Sequence, residues 1–200
     1  SVCFFYSENI LEKVIDADGV PVVYEYENNL LSKVIKAGNV FSKIKYSVQN
    51  GKNTVSAVQN EAGFQEYFDY DFVKKCTIYT NHDGEKTSFY FDDSGRTVKE
   101  VYCDGRERLL FYNKDGLLEK EIFDGEETNF SYDENLFKTE NIFSDGSKET
   151  YKYKDGVLSY FAGRDNYILS FYYDSRKNCI QTWRDGELLS KREYNDKGFL

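Results

Sequence analysis

The only histidine, His82, lies in the run Asn81-His82-Asp83-Gly84, and no serine or cysteine accompanies it at a spacing that would make a nucleophile. It reads as turn decoration. Aspartates gather in short runs such as Asp16-Ala17-Asp18-Gly19 and Asp92-Asp93-Ser94-Gly95, which raises the question of calcium. A Ca²⁺ loop needs several oxygens converging on one ion, with a closing glutamate or a glycine-rich nonapeptide, and neither spacing occurs. Asp and Asn serve hairpin turns for their own reasons. Among 35 acidic residues nothing singles out a pair for glycoside hydrolysis. Cys3, Cys76, Cys103 and Cys179 show neither CxxC nor Cys/His metal spacing and read as small apolar strand residues. No catalytic, cofactor or metal residue is assigned, and the expectation is a protein that is not an enzyme.

Aromatic side chains are the residue class whose spacing invites a sharper reading. They make up 18% of the chain, and an aromatic anchor recurs as Tyr6, Tyr26, Tyr46, Tyr70, Phe91, Tyr112, Tyr132, Tyr153, Tyr173 and Tyr194, at intervals of 20 or 21 residues and once of 24. Aromatic faces stack on sugar rings, so Tyr112, Tyr132, Tyr153 and Tyr173 are candidate ligand-stacking residues. The plainer reading, which is preferred, makes these rings the lining of a curled sheet, with cross-strand pairs contributing roughly 0.2–1 kcal/mol each.

The elements that must position them follow from the same period. Two residues before most anchors stands a second large apolar residue (Phe4, Tyr24, Ile44, Phe68, Phe89, Leu110, Phe130, Tyr151, Phe171), on the same face of a strand. Glycine sets the turns. Gly19, Gly63, Gly84, Gly105, Gly125 and Gly146 precede an anchor by seven residues, as Asn166 does, whereas Gly38 and Gly186 precede theirs by eight. A second set of turns, just after the anchors, carries Gly51, Gly95, Gly116, Gly156 and Gly198, or Asn9, Asn29, Asn135 and Asn178. Interchange of Gly with Asn predicts φ > 0 at those places, and Asp-Gly between alternating runs is a strong hairpin signal. The fold expected is all-β: an extended antiparallel β-meander of about ten hairpin repeats, each of ~20 residues, in a curled or spiralling sheet. Residues 1–200 are expected to form a single array.

Irregular places are expected too. The longest unit, 47–70, should hold a bulge or a longer loop, and the unit from Tyr70 to Phe91 lacks the first-turn glycine. Pro21, the only proline, should open a strand. A net charge of −9 argues against nucleic acid and anionic membrane as partners. No apolar run is long enough to cross a bilayer as a helix.

The pattern Tyr-Asp/Asn-x-x-Gly-x-Leu, then Asp-Gly and a return strand, resembles the YD repeat of Rhs proteins. Its best matches are YNKDGLL (Tyr112 to Leu118), YNDKGFL (Tyr194 to Leu200) and FDDSGRTV (Phe91 to Val98). Ser7, Glu27, Ser47 and Lys154 depart from it after their anchors. The resemblance implies a spiralling β-shell that encloses a toxin, with this chain as wall. The partners implied are neighbouring repeats of a longer polypeptide and an enclosed toxin domain, and the implied location is secreted or at a bacterial cell surface. Alternatives are a carbohydrate-binding surface repeat, with a glycan as partner, and a MORN-like interaction scaffold. A lone Trp183 counts against the first, and the absence of spaced glycines within one strand against the second. Both termini look cut within a unit, so the segment is expected to fray and self-associate through its edges, including Phe199-Leu200.

Overall fold

Turn chemistry and alternating apolar residues give short antiparallel hairpins throughout a computed structural model that describes residues 2–195 and 198. The expectation of a strand opened by Phe199-Leu200 lies outside the described residues. The chain divides into two compact units, Ser1–Glu107 and Arg108–Leu200. In the first, β1 (Cys3–Ser7), β2 (Ile10–Ile15), β3 (Pro21–Glu27), β4 (Leu30–Lys36), β5 (Asn39–Gln49), β6 (Lys52–Asn60), β7 (Gln65–Asp71), β8 (Cys76–Thr80), β9 (Lys86–Phe91) and β10 (Thr97–Val101) follow one another. Each pairs antiparallel with the next. The second unit begins inside β11 (Glu107–Tyr112). It continues through β12 (Leu118–Phe123), β13 (Glu126–Tyr132), β14 (Lys138–Phe143), β15 (Lys148–Lys154), β16 (Val157–Ala162), β17 (Ile168–Tyr173), β18 (Cys179–Arg184) and β19 (Glu187–Lys191), again paired in sequence. No helix occurs among the described residues. The all-β meander of the sequence analysis is what forms.

Apart from the longer turn after Tyr70, where Asp71 Oδ1 accepts the Val73 (3.1 Å) and Lys74 (2.9 Å) amides and Lys75 has φ 51°, the turns after the anchors come in two designs, and the residue following the anchor selects between them. Where it is Asp or Asn, its Oδ1 accepts two backbone amides of the turn. Asp92 takes Ser94 and Arg96, both at 2.9 Å. Asn113 takes Asp115 and Leu117 at 3.0 Å, Asp133 takes Asn135 and Phe137 at 2.9 Å, and Asp174 takes Arg176 and Asn178 at 2.9 Å. The carboxylate or amide thus satisfies two donors that the turn strands. The anchors that depart from the pattern have tight two-residue turns with both central residues at φ > 0: Glu8-Asn9 (49°, 66°), Asn28-Asn29 (51°, 62°), Asn50-Gly51 (50°, 73°) and Asp155-Gly156 (53°, 76°).

The left-handed residue of the longer design lies three places after the Asp or Asn, as at Gly95 and Gly116. In the units expected to use Asn135 and Asn178 it is therefore Leu136 (φ 65°) and Lys177 (φ 65°) that adopt this conformation. Asn stands one residue out of phase. An L-residue there costs about 1–2 kcal/mol, partly offset in a glycine replacement by the entropy of the unfolded chain. Leu136 is exposed, so Leu136→Gly loses little packing and is expected to stabilise the protein by about 0.5–1 kcal/mol, read as a rise in the urea midpoint.

Within the hairpins the return strand carries an extra residue. The register β3–β4 pairs Glu25 with Lys33 and Tyr26 with Leu31, skipping Ser32. The same bulge falls at Glu12, Ser56, Val98, Glu119, Thr139, Ser159 and Ile180. Among the described hairpins, only β7–β8 runs without one. The eight-residue spacing of Gly38 and Gly186 has the same cause: further bulges skip Phe41 and Leu189. In the 47–70 unit the added length goes into the strands, which stay paired as far as Gln49↔Lys52.

Each unit is one layer of sheet. Ala57, Cys76 and Leu110 are the buried apolar residues among those described, and no side chain is fully buried. In each unit taken by itself the anchors are half-buried on one face of its sheet, except Tyr6 on the exposed strand β1. The opposite face carries lysines over aromatic partners in direct register, Lys13 on Phe5 at 4.4 Å, Lys120 on Phe111 at 4.8 Å and Lys152 on Tyr160 at 4.9 Å.

Candidate functional site: the joints between hairpins

A β-bulge bends its strand and ends pairing on the far side. Here the backbone ladder between one hairpin and the next stops at the residue beside the bulge. It covers Lys13–Ile15 in β2–β3, Lys120–Phe123 in β12–β13, Glu140–Ile142 in β14–β15 and Tyr160–Ala162 in β16–β17. Beyond that point the hairpins part, and a carbonyl of the return strand loses its ladder partner. The next anchor supplies one. The Tyr26 hydroxyl donates to the Leu11 carbonyl (2.9 Å), Tyr46 to Leu31 (3.0 Å), Tyr132 to Leu118 (2.8 Å), Tyr173 to Leu158 (2.7 Å) and Tyr194 to Cys179 (3.3 Å). At these five anchors the joint is thus closed by a short ladder near the glycine turn and by a phenol at the other end.

The joint that follows the hairpin without a bulge is closed by backbone instead. Between β8 and β9 the ladder runs as far as Cys76↔Tyr90, and the Phe91 amide then donates to the Lys75 carbonyl at 2.9 Å. No gap opens, no hydroxyl is needed, and the anchor at this place is the phenylalanine of the series.

Of the four candidate stacking residues, Tyr132 and Tyr173 direct their hydroxyls to backbone carbonyls. Tyr153 lies on Phe137 with ring centroids 4.7 Å apart and planes 19° apart. Tyr112 is half-buried like the others. Tyr132, Tyr153 and Tyr173 are thus built into successive hairpins on one strand face rather than gathered in one pocket. Burial, through loss of solvation, raises the Tyr132, Tyr153 and Tyr173 phenols above the ordinary tyrosine range, with Asp133 adding to the effect at Tyr153 and Cys179 at Tyr173.

The anchor face also holds polar groups that the period does not foretell. Lys138 stands where Leu11, Leu31, Leu118 and Leu158 stand elsewhere, and its ammonium lies 4.5 Å from the centre of the Tyr151 ring. Buried Asn141 donates to Glu149 (2.7 Å) and to the Tyr151 hydroxyl (3.1 Å), which itself donates to Glu149 (2.8 Å). Burial first, and then Glu149, pushes the Tyr151 phenol far up.

At the glycine turns, Arg164 reaches back to Asp145 (2.8 Å) and Ser147 (3.0 Å) and covers the Phe143 ring. The Ser147 hydroxyl and amide, then Arg164, hold the Asp145 carboxyl at about 2. Turn amides or side chains likewise depress Asp71, Asp92, Asp104 and Asp174. A carboxyl with a lowered folded-state pKa stabilises above its unfolded value near 3.9, and that contribution disappears as pH falls through the folded value. The urea midpoint is expected to fall between about pH 4 and pH 2, and Asp145→Asn to flatten that fall. No group of three or more His, Cys, Asp or Glu residues suited to a metal ion occurs among the described residues.

No family model matches the sequence, and no curated protein matches it. Solved structures do. The crystal structure of TcdB2-TccC3-TEV superposes with a TM-score of 0.60 at 14% identity, over 92% of this chain and 11% of that one. TcdB2-TccC3 gives 0.59 at 13% identity, over 98% and 12%. TcdB2-TccC3 without its hypervariable C-terminal region gives 0.52 at 14%, over 92% and 11%. The chain therefore spans about a tenth of the length of these structures, and what it shares with them is the fold.

Proposed function

We propose that the chain is a structural repeat segment without catalytic activity, part of the wall of an Rhs/YD-type β-shell that encloses or presents a toxin or surface domain. The observation that carries this reading is the single-layer sheet whose aromatic face is left only half-buried within each unit. Apolar surface of that kind gains by being enclosed, and repeated joints let such a face extend by stacking units. The likeness to TcdB2-TccC3 supports the reading. The fold is matched in that protein both with and without the hypervariable C-terminal region, so it does not depend on that region. In this reading the partners are neighbouring repeats of a larger bacterial protein and an enclosed domain, and the location is secreted or at the cell surface.

Cysteine labelling tests it. Thr128 lies on the anchor face of β13 and Ser131 on the opposite face. In the intact source polypeptide, Ser131→Cys should react readily with a bulky maleimide and Thr128→Cys should not, with sites assigned by peptide mass. Equal labelling of the two would show that the anchor face encloses nothing.

A further inference from the structure

Three places that are apolar at the start of the chain hold polar side chains together on the anchor face of β14 and β15. Lys138 stands opposite Tyr132 in the register, and Asn141 stands between Phe130 on one side and Glu149 on the other. The equivalent residues of β2 and β3 are Leu11, Val14 and Val22. Asn141 is buried, at 6% exposure. Its Nδ2 donates to Glu149 at 2.7 Å and to the Tyr151 hydroxyl at 3.1 Å, and the same hydroxyl donates to Glu149 at 2.8 Å. A carboxylate only accepts, so the nitrogen end of the amide is the one that faces it. The other end, Oδ1, is buried without a hydrogen-bond partner. A buried polar atom in that state calls for an explanation.

Lys138 supplies an independent observation. Its ammonium makes no hydrogen bond or ion pair among the described residues and lies 4.5 Å from the centre of the Tyr151 ring and 5.8 Å from that of Phe130. Phe130 is the register partner of Asn141, not of Lys138. The lysine chain therefore runs along β14 towards Asn141, with its nitrogen between rings from both neighbouring strands. The bulge at Thr139 permits this approach. It puts residues 138 and 141 on one face, opposite partners only two residues apart, a step of about 7 Å. An unpaired amine, a carboxamide with a free carbonyl oxygen and a carboxylate bonded to the amide nitrogen thus converge on two strands. Acyl transfer from an amide to an amine needs those groups: a nucleophile, an acyl carbon and an acid–base group at the leaving nitrogen.

We propose that Lys138 and Asn141 form an intramolecular isopeptide bond, with Glu149 as the proton carrier. Lys138 Nζ attacks Asn141 Cγ while Glu149 takes its two surplus protons in turn and delivers them to Nδ2. The Nζ–Cγ bond forms, the Cγ–Nδ2 bond breaks and ammonium leaves, so no oxidant or co-reactant is needed. This is a single self-modification rather than turnover. It fixes the bulge at Thr139 covalently and does not depend on what the anchor face encloses. Tryptic peptide mapping of the intact source polypeptide tests it. Residues 121–148 should appear as one peptide, uncut after Lys138 and lighter by one ammonia, with fragments placing the link between Lys138 and Asn141. Lys138→Arg keeps a cation between the rings and should restore both cleavage and full mass. Glu149→Gln should slow the reaction by roughly a hundredfold or more, read as full-mass peptide soon after purification. The proposal is overturned if the parent is cut at Lys138 with full mass, or if Glu149→Gln reacts as fast as the parent. It is also overturned if the ammonia loss survives Lys138→Arg, which would mark a succinimide at Asn141. The parent's own peptide decides the cross-link whether or not a variant folds.

Discussion

Replacing Gly116 by valine is expected to destabilise the protein by about 1–3 kcal/mol, whereas Gly116→Asn should cost only a few tenths. Gly116 sits at φ 79°, and its amide closes the turn on the Asn113 carbonyl at 3.0 Å. A β-branched residue is a steric outlier in that region, while Asn tolerates it. The contrast isolates backbone conformation from the mere addition of a side chain. Equal effects of the two changes on the urea midpoint would remove the turn assignment.

The second large effect comes from one oxygen atom. Tyr132→Phe keeps the ring but leaves the Leu118 carbonyl without its donor at the open end of the joint. An acceptor left unsatisfied in a partly buried place costs about 1–2 kcal/mol. Phe91→Tyr is the matching control. There the backbone already closes the joint through the Phe91 amide and the Lys75 carbonyl, so the added hydroxyl should gain almost nothing. A Tyr132→Phe protein as stable as the parent, or a Phe91→Tyr protein clearly more stable, would contradict the link between bulge and phenol.

That link shows where the sequence is legible and where it is not. Strand existence, antiparallel order and turn positions follow from the anchor period and from glycine, because side-chain alternation and φ > 0 leave direct marks in residue type. The eight-residue spacing of Gly38 and Gly186 was visible too, although its meaning, an extra residue opposite Val34–Ile35 and Thr182–Trp183, needed the register. The bulges beside the anchors left a fainter mark. They place Leu11 and Val14, or Leu31 and Val34, three apart on one face, which period-two reasoning does not expect.

The left-handed places of Leu136 and Lys177 are not legible in residue type, for a physical reason. Asn is a good left-handed residue, and both Asn135 and Asn178 stand within one place of the turn. The position is set by the hydrogen-bond count from Asp133 and Asp174, however, and not by propensity. The role of the anchor hydroxyls was hidden for a similar reason. Tyr and Phe look alike to a hydrophobic pattern, and their difference matters only where a bulge has opened the ladder. The polar cluster of Lys138, Asn141, Glu149 and Tyr151 breaks the pattern without a local signal, since its members come from two strands.

Amide hydrogen exchange on the Arg108–Leu200 unit tests the joint most directly. Between Glu140 and Ile142 the strand β14 is paired on both sides, whereas nearer the Asp133 turn it is held by its own hairpin and the next joint is open. The amides of residues 140–142 should therefore exchange more slowly than those of residues 131–139. Tyr132→Phe should speed exchange chiefly between Leu118 and Tyr132, where its hydroxyl bridges. Even protection along β14, or acceleration spread uniformly over the unit in the Tyr132→Phe protein, would show that the hairpins are not joined in this way.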